Sequence, residues 1–397
     1  MYPKLISYKE IENTKRKFVL FGAGVVAKKF ITSIGSKKIK YLVDNNKSLW
    51  GTKFQDLKVK SINFFFNNIN RNDKIIICST SYDEIYKQIV SKKKNLQIFI
   101  NPILQNLVEL NSVEKFQSDI LITSGMPPSS SSLKGGGLYK IVVNESGYKI
   151  KKIYKGVIHG LIKFQNGYII SNSTYGLIFL NKNLKVTGKI KYKINTRIHG
   201  IAYSSKFKLF YLACSLQDKI LIFNKKLKFI NEIKISAKFA KTGYAQHHIN
   251  DICVHEDSIY VSMFSYTGNH RKNIYDGAVV EYDLHSGSEI GRIYDNLYMP
   301  HSIKFFNNSF YCLDSFTGNF LKGNRNIIGS FHGFVRGLDF KKNFFIIGQS
   351  KNRNYTLNYK ENRSLDSSII IFNEKNKIYK SIQLPSSISE IHEILCI

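Results

Sequence analysis

Six polar side chains recur at similar intervals through the part of the chain beyond residue 150. Each opens a short apolar run, and the spacing between successive members is of the size of one unit in a repeat protein. Four are histidines, whose imidazole titrates near neutral pH and is a common metal ligand. The set therefore predicts acid–base or metal chemistry, provided that the fold gathers its members into one site. They are His159, His199, Asn250, His301, Arg336 and His392.

Two kinds of chemistry are open to this set, besides a purely structural role. His159, His199, His301 and His392 can hold a divalent transition metal, which would activate water or polarise a carbonyl group. Alternatively, the histidines act as general acid and base while Arg336 binds a phosphate or carboxylate. In the structural interpretation, each histidine only hydrogen-bonds to neighbouring backbone. Further candidates for catalytic or orienting roles are His248, Asn250, Asp251 and Asp314.

Long segments between the apolar runs provide candidates for substrate binding. Residues 125–137, 265–276 and 350–367 each join what we interpret as the second and third strands of a repeat. Long loops grouped on one face of a fold are frequently binding loops. Their basic and aromatic side chains suit an anionic sugar, through charge and through stacking. The substrate-binding candidates are Arg271, Arg353 and Tyr355.

The elements that would position these residues form a repeat of short strands. Beyond residue 112, helical patterns stop and β-rich runs alternate with turn signals. Four strands in each period of about 40–50 residues are typical of propeller blades. The repeat in residues 119–397 therefore predicts a six-bladed propeller. Residues 119–154 would supply only three of the four strands of their blade. The run at 389–397 is predicted to close the ring beside residues 119–124, which removes open sheet edges.

Residues 1–111 follow a different pattern, in which strands alternate with helices. An apolar run at 17–21 leads into a Gly-Ala-Gly-Val-Val-Ala segment that opens a helix. The next strand, at 39–43, is followed by Asp44, at the distance beyond Gly24 where dinucleotide folds place an acid for the ribose hydroxyls. Small hydroxyl residues follow a further strand at 74–78. The cofactor-binding candidates are Gly22, Gly24, Val25, Asp44, Ser79 and Thr80.

This first segment resembles the small Rossmann-like domain attached to many bacterial sugar-modifying enzymes. The matching residues are Phe21-Gly22-Ala23-Gly24, Val43-Asp44-Asn45-Asn46 and Gly51. The resemblance covers about a quarter of the chain and implies an α/β domain that binds NAD or a nucleotide-sugar. The alternative is that the glycines only allow close packing of helix on strand. No Tyr-x-x-x-Lys pair follows, so a short-chain dehydrogenase mechanism would lack its catalytic acid.

From about Asp119 onward, the chain resembles an uncharacterised family of bacterial six-bladed propeller proteins, a domain of unknown function. That resemblance implies the propeller fold and no particular reaction. Residues 112–118 are then a linker between the two domains. The motifs that carry this resemblance to the propeller family are His248-Ile249-Asn250-Asp251, Met299-Pro300-His301-Ser302, Leu313-Asp314-Ser315 and Gly333-Phe334-Val335-Arg336-Gly337-Leu338.

Composition narrows the classes of partner. The chain has 397 residues and a net charge of +31, but the excess is almost all lysine scattered along every segment. This distribution does not predict sequence-specific nucleic-acid binding, although it favours anionic sugars and weak contact with anionic membrane surfaces. No run of about 18 apolar residues predicts a membrane span, and five unclustered cysteines favour a reduced, cytoplasmic protein. The oligomeric state is left open.

Together these patterns predict an enzyme of surface-glycan or modified-sugar biosynthesis. The first domain would hold a nucleotide or nucleotide-linked sugar, and the histidine-rich propeller face would act on an anionic carbohydrate. Hydrolysis, lyase elimination and epimerisation all remain open, with or without a metal. The alternative is a non-catalytic scaffold that binds a glycan or a partner protein on the same face.

Overall fold

A computed structural model describes residues 3–125, 136–192, 196–351 and 362–397, without the side chains of residues 239 and 240. The chain divides into two compact units, Met1–Ser112 and Val113–Ile397. The division falls inside a helix, Gln105–Glu114, and a strand begins at Ser118. Within the described ranges, no helix is long and apolar enough to cross a membrane.

The first unit is an α/β domain built on a seven-stranded sheet. Numbered β1 to β7 along the chain, the strands lie in the order β1-β7-β6-β2-β3-β5-β4, and all neighbours are parallel except β5 and β4. They are Lys4–Leu5, Phe18–Phe21, Ile39–Val43, Lys53–Phe54, Leu57–Lys60, Lys74–Ile77 and Gln97–Ile100. The α-helices are Tyr8–Glu12, Val25–Ile34, Ile62–Asn68, Tyr82–Lys92 and Gln105–Glu114, and 3-10 turns occur at Ser36–Lys38, Lys47–Leu49 and Pro102–Leu104.

The central strands of this sheet are apolar throughout because both of their faces are covered. All four residues of β2 are fully buried, as are the three isoleucines of β6. Parallel strands with helices on both faces have this continuous apolar character. The chain leaves β2 for β3 on one side, and β6 pairs on the other side. The carboxyl ends of β2, β3 and β6 therefore meet where open α/β sheets bind ligands.

The second unit is a six-bladed β-propeller, as predicted. Each blade is a four-stranded antiparallel sheet. Blade 1 contains Ile394–Cys396, Ser118–Ser124, Gly137–Asn144 and Gly147–Lys155; blade 2 contains Ile158–Phe164, Gly167–Asn172, Gly176–Asn181 and Val186–Lys191; blade 3 contains Ile198–Ser204, Leu209–Cys214, Lys219–Asn224 and Phe229–Lys234. Blade 4 contains Ile249–His255, Ser258–Met263, Gly277–Asp283 and Glu289–Leu297; blade 5 contains Pro300–Phe306, Ser309–Asp314, Asn319–Lys322 and Asn326–Ser330; blade 6 contains Phe334–Lys341, Phe344–Ser350, Ser368–Asn373 and Ile378–Gln383. Two helical turns, Phe239–Thr242 and His270–Lys272, lie between strands.

The last strand closes the ring in the predicted way. Ile394 pairs with Ile122, and the next two residues continue this antiparallel ladder against the first strand of the propeller sequence. Ile394 is 1% exposed and belongs to an apolar core that joins blades 1 and 6. The closing strand therefore contributes both backbone hydrogen bonds and buried apolar surface.

The first strands of blades 2 to 6 contain an irregularity at one repeated place. In blades 2 to 6 the ladder between first and second strands shifts register just after the strand begins. A bulge of this kind redirects side chains and leaves a backbone N–H without a ladder partner. Buried hydroxyls accept from several of these N–H groups, including Ser171 for Gly160 at 2.7 Å and Ser262 for Asp251 at 3.0 Å. Five of the six recurring polar residues sit at this bulge, and His392 lies just before the closing strand of blade 1.

Candidate functional site

The first strands, and the segment just before the closing strand, bring five of the six recurring polar residues around one small cavity. His159, His199, Asn250, His301 and His392 line it. The cavity measures about 20 Å³, which accommodates one water molecule or one ion but no sugar. Its other lining residues are Asp251, Ser302 and Glu393.

Three of the four predicted metal ligands converge. The ring of His159 lies 4.1 Å from that of His199 and 4.3 Å from that of His392, while His199 and His392 are 5.7 Å apart, all between centroids. One ligand atom from each of the three lies within 4.8 Å of the others. Tetrahedral zinc holds imidazole nitrogens about 3.4 Å apart. To hold a metal, ligand atoms that lie up to 4.8 Å apart would therefore approach one another by up to about 1.4 Å.

His301 does not belong to this group of three. Its ring lies between the aromatic rings of Phe264 and Phe334, at 5.3 and 5.6 Å. Its Nδ1 lies 3.0 Å from the carbonyl oxygen of Met299 and 2.8 Å from the hydroxyl of Ser315. Because a carbonyl oxygen only accepts, Nδ1 carries the proton and Nε2 is the basic nitrogen. His159 has a similar neighbour, since its Nδ1 lies 2.6 Å from the hydroxyl of Ser173.

Four of the histidines in and beside this group favour the neutral form. Burial holds the pKa of His199, His248, His301 and His392 well below the ordinary value of 6.5. The positive charge of Arg336 lowers the pKa values of His301 and His392 further. Neutral imidazole is the form that binds a transition metal. His199 and His392 therefore offer the form of imidazole that such an ion requires, and His159 completes the group by its position.

Arg336 faces His392 in the ring and is engaged there. Its side chain is 5% exposed, its Nη1 lies 3.2 Å from Nδ1 of His392, and its Nη2 donates to the hydroxyl of Ser350 at 3.1 Å. Glu390 supplies the counter-charge, with Oε2 at 3.9 Å from Nη2 of Arg336 and 3.0 Å from Nε2 of His392. The guanidinium of Arg336 is therefore occupied by contacts with His392, Ser350 and Glu390 and does not line the cavity.

Glu390 is a site residue that the repeat pattern did not single out. Its side chain is 4% exposed, and its carboxylate lies within ion-pair distance of Arg336. The signal for it was available, because residues two apart in an extended segment project to the same side. Glu390 stands two positions before His392 in the run at 389–397.

His248 lies beside the ring, on the segment that enters blade 4. Its backbone φ is +54°, a left-handed conformation that costs a non-glycine residue about 1 kcal/mol or more. The carboxylate of Asp218 holds this segment, accepting from the N–H groups of His247 at 2.8 Å, His248 at 2.9 Å and Gln246. The ring of His248 lies 4.6 Å from that of His270 and 6.1 Å from that of His199.

Asp251 and Asp314 have orienting contacts. Asp251 accepts from the N–H of Ile252 and from that of Ile303 in the next blade, both at 2.9 Å, so it joins blades 4 and 5. Asp314 accepts from the N–H of Tyr298 at 2.6 Å. Burial raises the pKa of Asp314 to about 6. Asn250 donates to the carbonyl oxygen of His248 at 3.1 Å and so ties the ring to the segment entering blade 4.

The predicted substrate-binding residues are only partly described. Arg271 lies in the turn His270–Lys272, where its Nε donates to the carbonyl oxygen of Ala245 at 3.4 Å. Its guanidinium lies over the ring of Tyr244, 5.5 Å from the centroid, and Tyr244 is 63% exposed. Arg353 and Tyr355 lie outside the described residues.

The α/β unit has a larger cavity of its own. A pocket of about 500 Å³ opens at the carboxyl ends of β2, β3 and β6. Gly22 lies at its edge with φ of +107°, and a Cβ there would lie 2.9 Å from the carbonyl oxygen of Cys78, so only glycine fits. Val25 is 70% exposed and Thr80 is also exposed. The lining residues are Phe21, Gly22, Asp44, Asn45, Ser79, Ser81, Glu84, Ile85 and Gln88.

Asp44 organises the glycine loop of this pocket. Its two carboxylate oxygens accept from the N–H of Ala23 at 2.6 Å and from that of Asn46 at 2.7 Å. A carboxylate has about four lone-pair sites, so two remain for a ligand hydroxyl. Gly24 caps the helix Val25–Ile34, and a Cβ at Gly24 would meet no atom within 4 Å. The second glycine therefore leaves open space in front of the helix, while the first is required for packing.

The fold and the axial site define a six-bladed β-propeller with a histidine-rich centre, preceded by an α/β domain. Residues 146–397, well over half of the chain, match the family described as Domain of unknown function (DUF4915), and the chain belongs to that family. No curated protein matches it.

Solved structures with a related fold are distant in sequence. A chain of the nidogen/laminin complex is 11% identical with a TM-score of 0.49, over 70% of this chain and 97% of that one. A protein of unknown function from Bacteroides caccae is 14% identical with a TM-score of 0.48, over 70% of this chain and 99% of that one. Neither likeness bears on what this chain binds.

Proposed function

We propose that the protein is an enzyme that acts on an anionic or nucleotide-linked sugar with the help of a divalent transition metal at the propeller centre. The observation that carries this proposal is the convergence of three imidazoles, from His159, His199 and His392. A bound metal at such a site supplies an activated water or polarises a carbonyl group. Hydrolysis is the reaction that this chemistry suits best.

Residues near the three histidines would supply proton transfer and substrate binding. His301 keeps an unprotonated Nε2 beside the ring and is suited to accept a proton. The cavity of about 20 Å³ excludes a sugar, so the substrate would lie at its mouth. Arg271, which follows His270 in a turn, would supply positive charge, and the exposed side chain of Tyr244 would supply a surface for stacking on a sugar.

Metal analysis of the purified full chain tests this proposal. We expect one first-row transition metal per chain after dialysis against a mixture of Mn²⁺, Co²⁺ and Zn²⁺, and its loss in His159→Ala and His199→Ala. His285→Ala is the matched control, because this imidazole lies exposed in a turn of blade 4. An equal metal content in all four proteins, or none in the wild type, would contradict the proposal.

For the α/β unit, we propose binding of NAD or a nucleotide-sugar in the pocket of about 500 Å³. The pocket adjoins the amino end of the helix Val25–Ile34, whose free N–H groups attract phosphate, and Asp44 retains acceptor sites for ribose. NAD or UDP-glucose should raise the melting temperature of the wild type. Gly24→Val should abolish this rise without loss of folding, since its side chain would occupy open space. A wild-type curve that neither ligand shifts would favour the packing role of the glycines.

A scaffold that binds a glycan without catalysis is the second candidate. The small axial cavity and the mutual contacts of Arg336, His392 and Glu390 favour it, since they resemble a closed structural centre. In that case glycan binding to immobilised protein would persist in His159→Ala and in the presence of a chelator. Loss of glycan binding under either condition would favour the enzyme.

A further inference from the structure

Both ring nitrogens of His392 are engaged by neighbouring side chains. Nδ1 lies 3.2 Å from Nη1 of Arg336, and Nε2 lies 3.0 Å from Oε2 of Glu390. A guanidinium only donates hydrogen bonds and a carboxylate only accepts them. The neutral imidazole therefore carries its proton on Nε2 and directs the lone pair of Nδ1 at Arg336.

Coordination of a metal by either nitrogen conflicts with this arrangement. A metal on Nδ1 takes the lone pair that now accepts from Arg336. A metal on Nε2 leaves the proton on Nδ1, where it would face a second donor, Nη1 of Arg336. In both cases the guanidinium has to withdraw from His392 before the metal is fully coordinated.

Arg336 is held in place by more than this one contact. Its Nη2 and Nε lie 3.1 and 3.4 Å from the hydroxyl of Ser350, and its guanidinium lies 5.0 Å from the ring centroid of Phe334. Glu390 lies 3.9 Å away and balances its charge. A fixed cation at this point also repels a divalent ion, because Coulomb interactions are strong where water is excluded.

We infer that Arg336 and a divalent transition metal compete for His392, so that metal binding displaces the guanidinium from this imidazole. The inference rests on the proposed function, because it concerns the same three histidines. It adds a determinant of metal affinity that is not itself a ligand. Arg336 is a positioning residue whose removal should strengthen metal binding.

Calorimetric titration of the full chain with Co²⁺ tests the competition. In Arg336→Met, an unbranched side chain still packs on Phe334 but offers no charge and no donor, and we expect Kd to fall at least tenfold. Arg336→Lys is the matched control, because it keeps a positive charge at this place and should stay within threefold of the wild type. His199→Ala in the Arg336→Met background should abolish the binding gained.

The outcomes separate this inference from the proposed function. Equal Kd values for wild type and Arg336→Met would overturn the competition and leave the metal site standing. No Co²⁺ binding by either protein would overturn the metal site and the inference with it. If Arg336→Met does not fold, the Nε resonance of Arg336 in ¹⁵N-arginine-labelled wild type, assigned with Arg336→Lys, should shift on saturation with Zn²⁺. An unchanged resonance would overturn the inference.

Discussion

Single contacts decide what each histidine of the ring can do. His301 is locked with its proton on Nδ1 by a carbonyl oxygen, whereas His392 is locked with its proton on Nε2 by Glu390. These two residues occupy equivalent places in the repeat, yet the unprotonated nitrogen is Nε2 in His301 and Nδ1 in His392. The repeat predicts the position of an imidazole but does not specify its tautomer, because the tautomer depends on partners outside the repeated motif.

Asp314 gives the propeller a measurable dependence on pH. The residue is 5% exposed, and burial raises the pKa of its carboxyl from 3.8 to about 6. The folded protein therefore holds this proton at pH values where the unfolded chain has lost it. The stabilising contribution is complete below pH 3.8 and is lost as the pH rises through 6, by about 3 kcal/mol in total.

Comparison with Asp314→Asn isolates this contribution, because the amide keeps an oxygen for the N–H of Tyr298 and does not titrate. The free energy of unfolding of the wild type minus that of the variant should decrease by about 2.4 kcal/mol between pH 4 and pH 7.5. Urea unfolding followed by circular dichroism measures it. A difference that stays constant over this range would mean that Asp314 titrates alike in the folded and unfolded states.

At the scale of elements, the bulged first strand and the segment before it place the site. Three blades enter the first strand through a non-glycine residue with positive φ: Arg197, His248 and Met299. This conformation turns the chain into the strand and is maintained by side chains from elsewhere, such as Asp218 for His248. Strained backbone of this kind persists only where the surroundings hold it.

Asp218 should therefore contribute strongly to stability although it belongs to a turn. It is 1% exposed, and its carboxylate accepts from three consecutive N–H groups. In Asp218→Asn, one oxygen becomes an NH₂ group that faces those donors, and we expect a loss of about 2–4 kcal/mol in the free energy of unfolding. The exposed Asp257→Asn, which loses only a surface ion pair with Lys206, should cost less than about 1 kcal/mol. Similar losses for both variants in urea unfolding would contradict this role.

The elements also show how far sequence reasoning reaches. The spacing of His159, His199 and His301 predicts their shared ring, because a repeat that closes must return each equivalent residue to the same axis. Spacing alone does not show that His301 differs from the three imidazoles that converge. That difference arises from its aromatic neighbours, Phe264 and Phe334. These differences arise from side-chain packing between blades. The nucleotide site of the α/β unit stays a prediction, since its pocket identifies no ligand.

At the scale of the whole molecule, ring closure creates the site. The rings of His159 and His392 are 4.3 Å apart although they lie near opposite ends of the propeller sequence. Their contact depends on the last strand, which follows His392 at Ile394 and pairs with the strand Ser118–Ser124. A change that opens the propeller should therefore affect stability and the proposed metal binding together, which a local packing defect would not do.

Ile394 provides the test of that dependence. It is 1% exposed, pairs with Ile122 and packs in the core that joins blades 1 and 6. Ile394→Asp buries an unpaired carboxylate there, so we expect the free energy of unfolding to fall by about 4 kcal/mol or more and the affinity for Co²⁺ to be lost. Ile394→Val removes one methylene group and should cost about 1 kcal/mol with the affinity unchanged. If Ile394→Asp kept the affinity of Ile394→Val, His392 would reach the axis without closure by this strand.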